Sequence, residues 1–180
     1  MGNNQLKSFI RDVPDFPKKG IVFKDITPLL KDPGAFREAI DALTEHYRRQ
    51  AVSLVVAAEA RGFILGPTVA YNLGAGFVPV RKPGKLPYLR KKATYQTEYS
   101  TDSLEIHEDA VRPGDRVLLL DDVLATGGTM AACCKLIESM GGQVVGCAFL
   151  VELSFLGGRK PLGGHDVFSL VQYGDVGTGL

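Results

Sequence analysis

The stretch RVLLLDDVLATGGT, Arg116 to Thr129, decides the reading of this chain. Val117 to Leu120 is a continuous apolar run, the pattern of a central parallel strand covered on both faces. Asp121 and Asp122 follow where that strand is expected to end. Ala125-Thr126-Gly127-Gly128-Thr129 then forms a small-residue turn, Met130 to Met140 reads as a helix, and Gly141-Gly142 supplies its stop. Backbone N–H groups at a helix N-terminus, unobstructed by Cβ atoms at Gly127 and Gly128, make an anion site. Thr126 and Thr129 add hydroxyl donors. Two carboxylates beside such a site suit the diol of a sugar whose phosphate sits in the turn. A plain strand–turn–helix corner explains the apolar run, but not two adjacent acids placed before a Thr/Gly turn. Other phosphate loops fit worse. No G-x-x-x-x-G-K-[ST] occurs, and a dinucleotide fingerprint begun at Gly74 and Gly76 would need its third glycine where Pro79 stands.

Outward from this stretch, strands and helices alternate. Asp32-Pro33 pairs an N-cap acid with proline at the first helical position. Phe36, Ile40, Leu43 and Tyr47 then fall on one face of a helix running to about Arg49. Leu54 to Ala58 reads as a buried strand, Gly66 to Leu73 as a helix capped by Gly74, Phe77 to Val80 as a strand and Val144 to Val151 as another. Such alternation implies βαβ units and a parallel sheet, with the ligand at the carboxyl ends of the strands. Glu59-Ala60-Arg61-Gly62, Arg81-Lys82 and Asp121-Asp122 all fall at those expected ends, as a shared ligand would require.

Between Lys82 and Ser100 the pattern breaks into a segment with two prolines, five lysines or arginines and three tyrosines. A loop that long inside a compact domain is functional or disordered. Its charge and position suit a mobile lid over an anionic ligand, with a solvated basic loop or an RNA-contacting patch as the alternatives.

The 180 residues are 45% hydrophobic and 23% charged with a net charge of +1, which suits one globular domain and supplies no global field toward nucleic acid or membrane. The first ten residues lack a signal-peptide core, and Leu6 stands where a myristoylation motif needs Ser or Thr. No apolar run approaches the roughly 18 residues of a membrane span. Three cysteines, Cys133, Cys134 and Cys147, with no C-x-x-C, suit packing thiols in a reducing, cytoplasmic setting. His46, His107 and His165 show no metal-ligand spacing.

The stretch from Arg116 to Thr129 resembles the phosphoribosyl pyrophosphate motif of the type I phosphoribosyltransferases. VPDFPKKGIVFKDITPLL, Val13 to Leu30, resembles the N-terminal signature of the adenine-specific members of that family. The likeness continues through Ala58 to Phe63, Val80 to Pro87 and Tyr95 to Tyr99, and ends near Val151-Glu152-Leu153 and Phe168-Ser169-Leu170. Gly174 to Leu180 carry none of it.

The resemblance implies an α/β fold of the type I kind: a mainly parallel central sheet flanked by helices, as a single domain over residues 1–180. It also implies a small N-terminal hood over about residues 1–34 and a lid over about 82–100. Val22, Phe23 and Lys24 would bind adenine, by stacking on the aromatic and by backbone groups at the polar edge; many relatives have Arg at the Lys24 position. Arg61, Arg81, Lys82, Lys85, Asp121, Asp122, Ala125, Thr126, Gly127, Gly128 and Thr129 would bind 5-phospho-α-D-ribose 1-diphosphate. Glu98 and Tyr99 would be the catalytic lid residues, Glu98 as the acid/base. Mg²⁺ would bind through substrate and water near Asp121 and Asp122 rather than to direct protein ligands. The implied reaction is purine salvage, adenine giving AMP and pyrophosphate, in a cytoplasmic homodimer without nucleic-acid or membrane partners. The rival readings are a phosphoribosyl-pyrophosphate-sensing regulator that binds nucleic acid, and a transferase for another base such as orotate or hypoxanthine.

Overall fold

The computed structural model describes residues 4–96 and 101–174. The chain opens with helix α1 (Asn4–Lys7), strands β1 (Arg11–Pro14) and β2 (Val22–Asp25), and helices α2 (Thr27–Lys31) and α3 (Pro33–Tyr47). Then come β3 (Leu54–Ala58), α4 (Gly62–Leu73), β4 (Gly76–Val80), β5 (Arg90–Gln96) and β6 (Thr101–His107). The last third holds β7 (Arg116–Leu124), α5 (Gly128–Ser139), β8 (Gln143–Leu153) and β9 (Val167–Tyr173).

Five strands pair in the order β4-β3-β7-β8-β9, every neighbouring pair parallel. This is the central sheet that the alternation of elements predicts. Side chains alternate across a strand, so each central strand feeds two cores. On β7, Leu118 and Leu120 pack with Leu43, Tyr47 and Leu65 from α3 and α4. Val117 and Leu119 pack on the other side with Met130, Leu136 and Ile137 of α5. Burial on both faces is why Val117 to Leu120 reads as an unbroken apolar run.

Local chemistry sets the helix ends. Asp32 caps α3 as expected, its carboxylate accepting from the N–H groups of Gly34 at 3.0 Å and Ala35 at 2.8 Å. Helix α4 starts at Gly62, four residues before the position read from Gly66-Pro67, and carries Pro67 inside it. Tight packing explains the longer helix. A Cβ on Gly62 would lie 3.1 Å from Asp121 Oδ1 and 3.3 Å from the Leu120 carbonyl, so glycine lets this first turn seat against the strand ends without displacing them.

Two further readings change. Strand β7 does not stop at Leu120: it runs to Leu124, because β8 continues beside it through Asp121↔Phe149, Val123↔Val151 and Leu124↔Glu152. The β3 ladder ends at Ala57↔Leu120, so the acid pair stands where β7 outruns that neighbour. The segment from Lys82 to Ser100 is not one long loop. Its second half is β5, antiparallel to β6 from Arg90↔His107 to Gln96↔Thr101. Charged Arg90, Lys91 and Lys92 hide this strand from a search for apolar alternation. The buried Leu104 and Ile106 of its partner carry the hydrophobic face. Glu98 and Tyr99 lie outside the described residues. Strands β1 and β2 form a separate antiparallel pair, Arg11↔Asp25 to Pro14↔Val22.

Gly146 shows how tightly the α3 side is packed. It faces Leu118 beside a register shift, and a Cβ there would lie 2.6 Å from Tyr47 Cε1, in a ring that is fully buried. Gly146→Ala is expected to cost about 1–3 kcal/mol by overpacking. The measurement is the urea midpoint at constant m-value; an unchanged midpoint would show that Tyr47 moves aside freely.

Candidate active site

The carboxyl ends of β3, β4 and β7 meet the β1–β2 pair and the β5–β6 hairpin around a cleft of about 450 Å³. Val22, Phe23, Lys24, Arg61, Lys82, Asp121, Asp122, Ala125 and Thr129 line it, all singled out from the sequence. A second cavity of about 80 Å³ adjoins it, lined by Asp121 and by the turn from Ala125 to Met130. Thr126, Gly127 and Gly128 belong to this smaller cavity. Arg81 and Lys85 are on the wall of neither.

The turn has the form of an anion cradle. Gly127 is the N-cap of α5 with φ 82°, and no side chain caps that helix start. The first-turn N–H groups are thereby left to a ligand. A Cβ on Gly127 would run into the carbonyl oxygen of Gly158, and one on Gly158 into that of Ala125. Backbone therefore presses on backbone here. Glu152 holds the pressing loop: its buried carboxylate takes Arg159 Nε at 2.8 Å and Nη2 at 2.7 Å. That bidentate pair keeps the Glu152 carboxyl below the usual carboxylate range, against the opposing effect of burial.

The acid pair is electrostatically strained. Asp122 is buried and bonded to Arg61, whose guanidinium also lies 5.4 Å from the centre of the Phe23 ring. Burial pushes the Asp121 carboxyl well up, and the neighbouring Asp122 charge pushes it further. The N–H of Asp122 donates to Asp121 Oδ1 at 2.9 Å, and Arg61 acts in the opposite direction, but neither offsets the rise. A cation or hydroxyl donors arriving at Asp121 would relieve it.

The basic residues divide. Arg61 and Lys82 face the cleft. Arg81 serves its own loop instead: Nε meets Glu59 Oε2 at 2.7 Å and Nη1 meets the Lys85 carbonyl at 3.3 Å. Burial raises Glu59, but Arg81, the Lys82 N–H and the Lys85 charge together hold it below the ordinary carboxylate range. Buried Glu105 anchors the same loop, accepting from the Gly84 N–H and from Arg90 Nε, both at 3.0 Å. Lys24 is likewise committed. Its ammonium sits 2.7 Å from Asp12 Oδ1 and 4.1 Å from the centre of the Tyr173 ring, tying β2 to the end of β9. The Lys24 side chain is thereby committed to holding β2 in place.

Glu59, Tyr95, Asp102, Glu105, Glu152 and Arg159 shape this site and carried no assignment from the sequence. Glu59 and Tyr95 stand in motifs recognised there, so position beside Arg61 and Glu98 was the available signal. Asp102, Glu105 and Arg159 act through strand pairing and loop return, which leave no local signature. The three histidines lie away from the cleft lining. The three cysteines are free and buried, as packing residues are.

Comparison with known proteins agrees with this geometry. A family model described as the phosphoribosyl transferase domain matches residues 26–170. An adenine phosphoribosyltransferase of Solibacter usitatus is 60% identical over 168 residues, covering 93% of this chain and 97% of the relative. The crystal structure of adenine phosphoribosyltransferase from Thermoanaerobacter pseudethanolicus superposes with a TM-score of 0.92 at 55% identity, covering 95% of this chain and 99% of that one. The Saccharomyces cerevisiae enzyme, complexed with an imino-altritol bisphosphate and adenine, gives 0.89 at 42% identity, covering 94% and 98%. The chain belongs to the phosphoribosyltransferase family, and within it to the adenine phosphoribosyltransferases.

Proposed function

We propose that this chain transfers the 5-phosphoribosyl group of 5-phospho-α-D-ribose 1-diphosphate to adenine, releasing AMP and pyrophosphate in purine salvage. One observation carries the reading: a single cleft joins an aromatic base platform at Phe23, an acid pair at Asp121 and Asp122, and a phosphate-sized cavity at Thr126 to Thr129. In this reading residues 1–34 form a hood and 82–100 a lid on one domain.

The 5-phosphate sits in the turn, on backbone N–H groups and the Thr126 and Thr129 hydroxyls. Asp121 and Asp122 accept from the ribose hydroxyls. The base stacks on Phe23 while backbone groups of Val22 and Lys24 read its amino edge. Arg61, held at Asp122, faces the pyrophosphate from the cleft wall, and Lys82 joins it. Arg81 and Lys85 meet the leaving group only after their loop moves. The bond from the anomeric carbon to pyrophosphate breaks as the bond to the purine nitrogen forms, through an oxocarbenium-like state. Positioning and electrostatics then supply the rate enhancement. Glu98 exchanges a proton with the imidazole part of the base, with Tyr99 beside it.

Magnesium fits the residues present. Asp121 is raised by burial and by Asp122, so a divalent cation nearby would restore its charge. Among the described residues no group of three or more His, Cys, Asp and Glu gathers as a metal cage. Mg²⁺ would therefore rest on substrate oxygens and water near Asp121 and Asp122, neutralising the pyrophosphate. We place the enzyme in the cytoplasm, where its three free cysteines stay reduced. A homodimer is expected, covering the exposed Ile64 and Tyr71 of α4; a monomer mass by light scattering would remove that expectation.

A product assay with a panel of bases tests the reaction. Adenine should exceed hypoxanthine, guanine and orotate, because a 6-oxo purine leaves backbone groups mispaired at about 1–3 kcal/mol each. Comparable kcat/KM for hypoxanthine or orotate would defeat the base assignment, and salt-dependent nucleic-acid binding without AMP formation would favour a regulator. Glu98→Gln should lower kcat by about 10²–10⁴-fold with little change in adenine binding; a wild-type single-turnover rate would reduce Glu98 to scaffolding. Asp121→Asn tests the electrostatics. A raised folded-state pKa gives wild type stability below the ordinary 3.8 that is lost as pH rises through the folded value. The substrate-free variant should melt above wild type at pH 8, the gap closing toward pH 4, while catalysis is lost. Equal melting at pH 8 would show that Asp121 is not strained.

A further inference from the structure

Tyr95 stands on β5 with no role in the chemistry above, yet it lines the cleft. Its ring packs against the core beneath α5. Its hydroxyl accepts a hydrogen bond from Thr129 Oγ1 at 3.2 Å and donates to Asp102 Oδ2 at 3.5 Å. Asp102 is the register partner of Tyr95 on β6, and its other oxygen takes the Ser103 N–H at 2.8 Å. The three side chains thus form a line from the phosphate turn to the β5–β6 hairpin. Burial raises the phenol above its ordinary range, the Thr129 hydrogen bond opposes this, and the Asp102 charge adds to the rise. The Tyr95 O–H therefore keeps a proton to donate.

A threonine hydroxyl has one proton. While it points to Tyr95, it is not offered to the small cavity. Rotating two O–H bonds reverses the line: Tyr95 donates to Thr129, Thr129 donates to the phosphate, and Asp102 loses its phenol partner. No covalent bond changes.

We propose that Tyr95 is a positioning residue for phosphate recognition, coupling the β5–β6 hairpin to the phosphate turn through Thr129. The proposal rests on the phosphoribosyl reading of the turn and adds a group that need not touch the substrate. With Thr129 donating to Tyr95 the hydrogen bonds run outward to the hairpin; with Thr129 donating to a phosphate they run inward.

Calorimetric titration of the substrate-free protein with ribose 5-phosphate, beside steady-state kinetics, tests the coupling. Tyr95→Phe keeps the packed ring and removes only the hydroxyl. It should weaken ribose 5-phosphate and raise KM for the phosphoribosyl donor by about three- to ten-fold, the worth of one hydrogen bond. KM for adenine should not move. In a Thr129→Val background the same substitution should add nothing, because the line is already cut. Unchanged affinity in Tyr95→Phe overturns the proposal, as does an equal loss in both backgrounds. Wild type that binds ribose 5-phosphate but makes no AMP defeats the transferase reading while these comparisons still decide the coupling. Wild type that binds neither ligand overturns both.

Discussion

A buried carboxylate has to be compensated, and much of this site follows from compensating Asp122. Strand β7 outruns β3 at Leu120, so the acid pair projects where the sheet steps down rather than into open solvent. Burial there would be prohibitive for an unpaired charge. Arg61 provides the partner from the start of α4, where Gly62 packs closely against the end of β7. The same guanidinium reaches the Phe23 ring, so one residue links the acid pair to the β1–β2 unit. Asp121 is left with burial and a like-charged neighbour. A ligand that supplies positive charge or hydroxyl donors therefore gains interaction energy that the empty protein lacks.

The phosphate turn obeys a steric constraint of the same kind. A Cβ on Gly127 would strike the Gly158 carbonyl and one on Gly158 the Ala125 carbonyl, so neither position tolerates a side chain. This contact fixes the turn from outside, and the Glu152–Arg159 pair fixes the contact. Preorganisation of this sort matters because donors already aimed at an anion cost little reorganisation when it binds. The basic loop is built likewise, with Arg81 occupied by Glu59 and the loop ends held by Glu105. Charge read from sequence as ligand-binding is here divided between holding the loop and facing the cleft.

The sheet and the turn were legible because their signals are local. Val117 to Leu120 is apolar on both faces, Asp32-Pro33 caps a helix, and Gly127-Gly128 opens one. The β5–β6 hairpin was not legible, since Arg90, Lys91 and Lys92 carry no alternation and the buried face belongs to Leu104 and Ile106. The start of α4 at Gly62 differs from the Gly66 start read from local pattern because close packing against the strand ends lies outside any sequence window. The supporting residues Asp102, Glu105 and Arg159 become functional only through distant pairing. Resemblance marks Arg81 and Lys85 as ligand groups, but it does not show that Arg81 is an anchor and that neither lines the cleft.

These two constraints give the site a division of labour. The rigid half is built on the parallel sheet, where Asp122, Arg61 and the Gly127–Gly158 contact hold the sugar and phosphate positions. The second half lies outside the sheet and is held in two ways: the β1–β2 pair by Lys24 over Tyr173 and Arg61 at Phe23, the β5–β6 hairpin by the Arg81↔Glu105 bridge, buried Leu104 and Ile106, and the Tyr95–Thr129 hydrogen bond. The contacts that hold the β1–β2 pair are cation–π pairs, each worth about 0.5–2 kcal/mol. They are weak enough for substrate to rearrange and specific enough to return the elements to one place. A transferase that must exclude water during an oxocarbenium-like step, yet release two charged products, needs a fixed phosphate site beneath a lightly tethered cover.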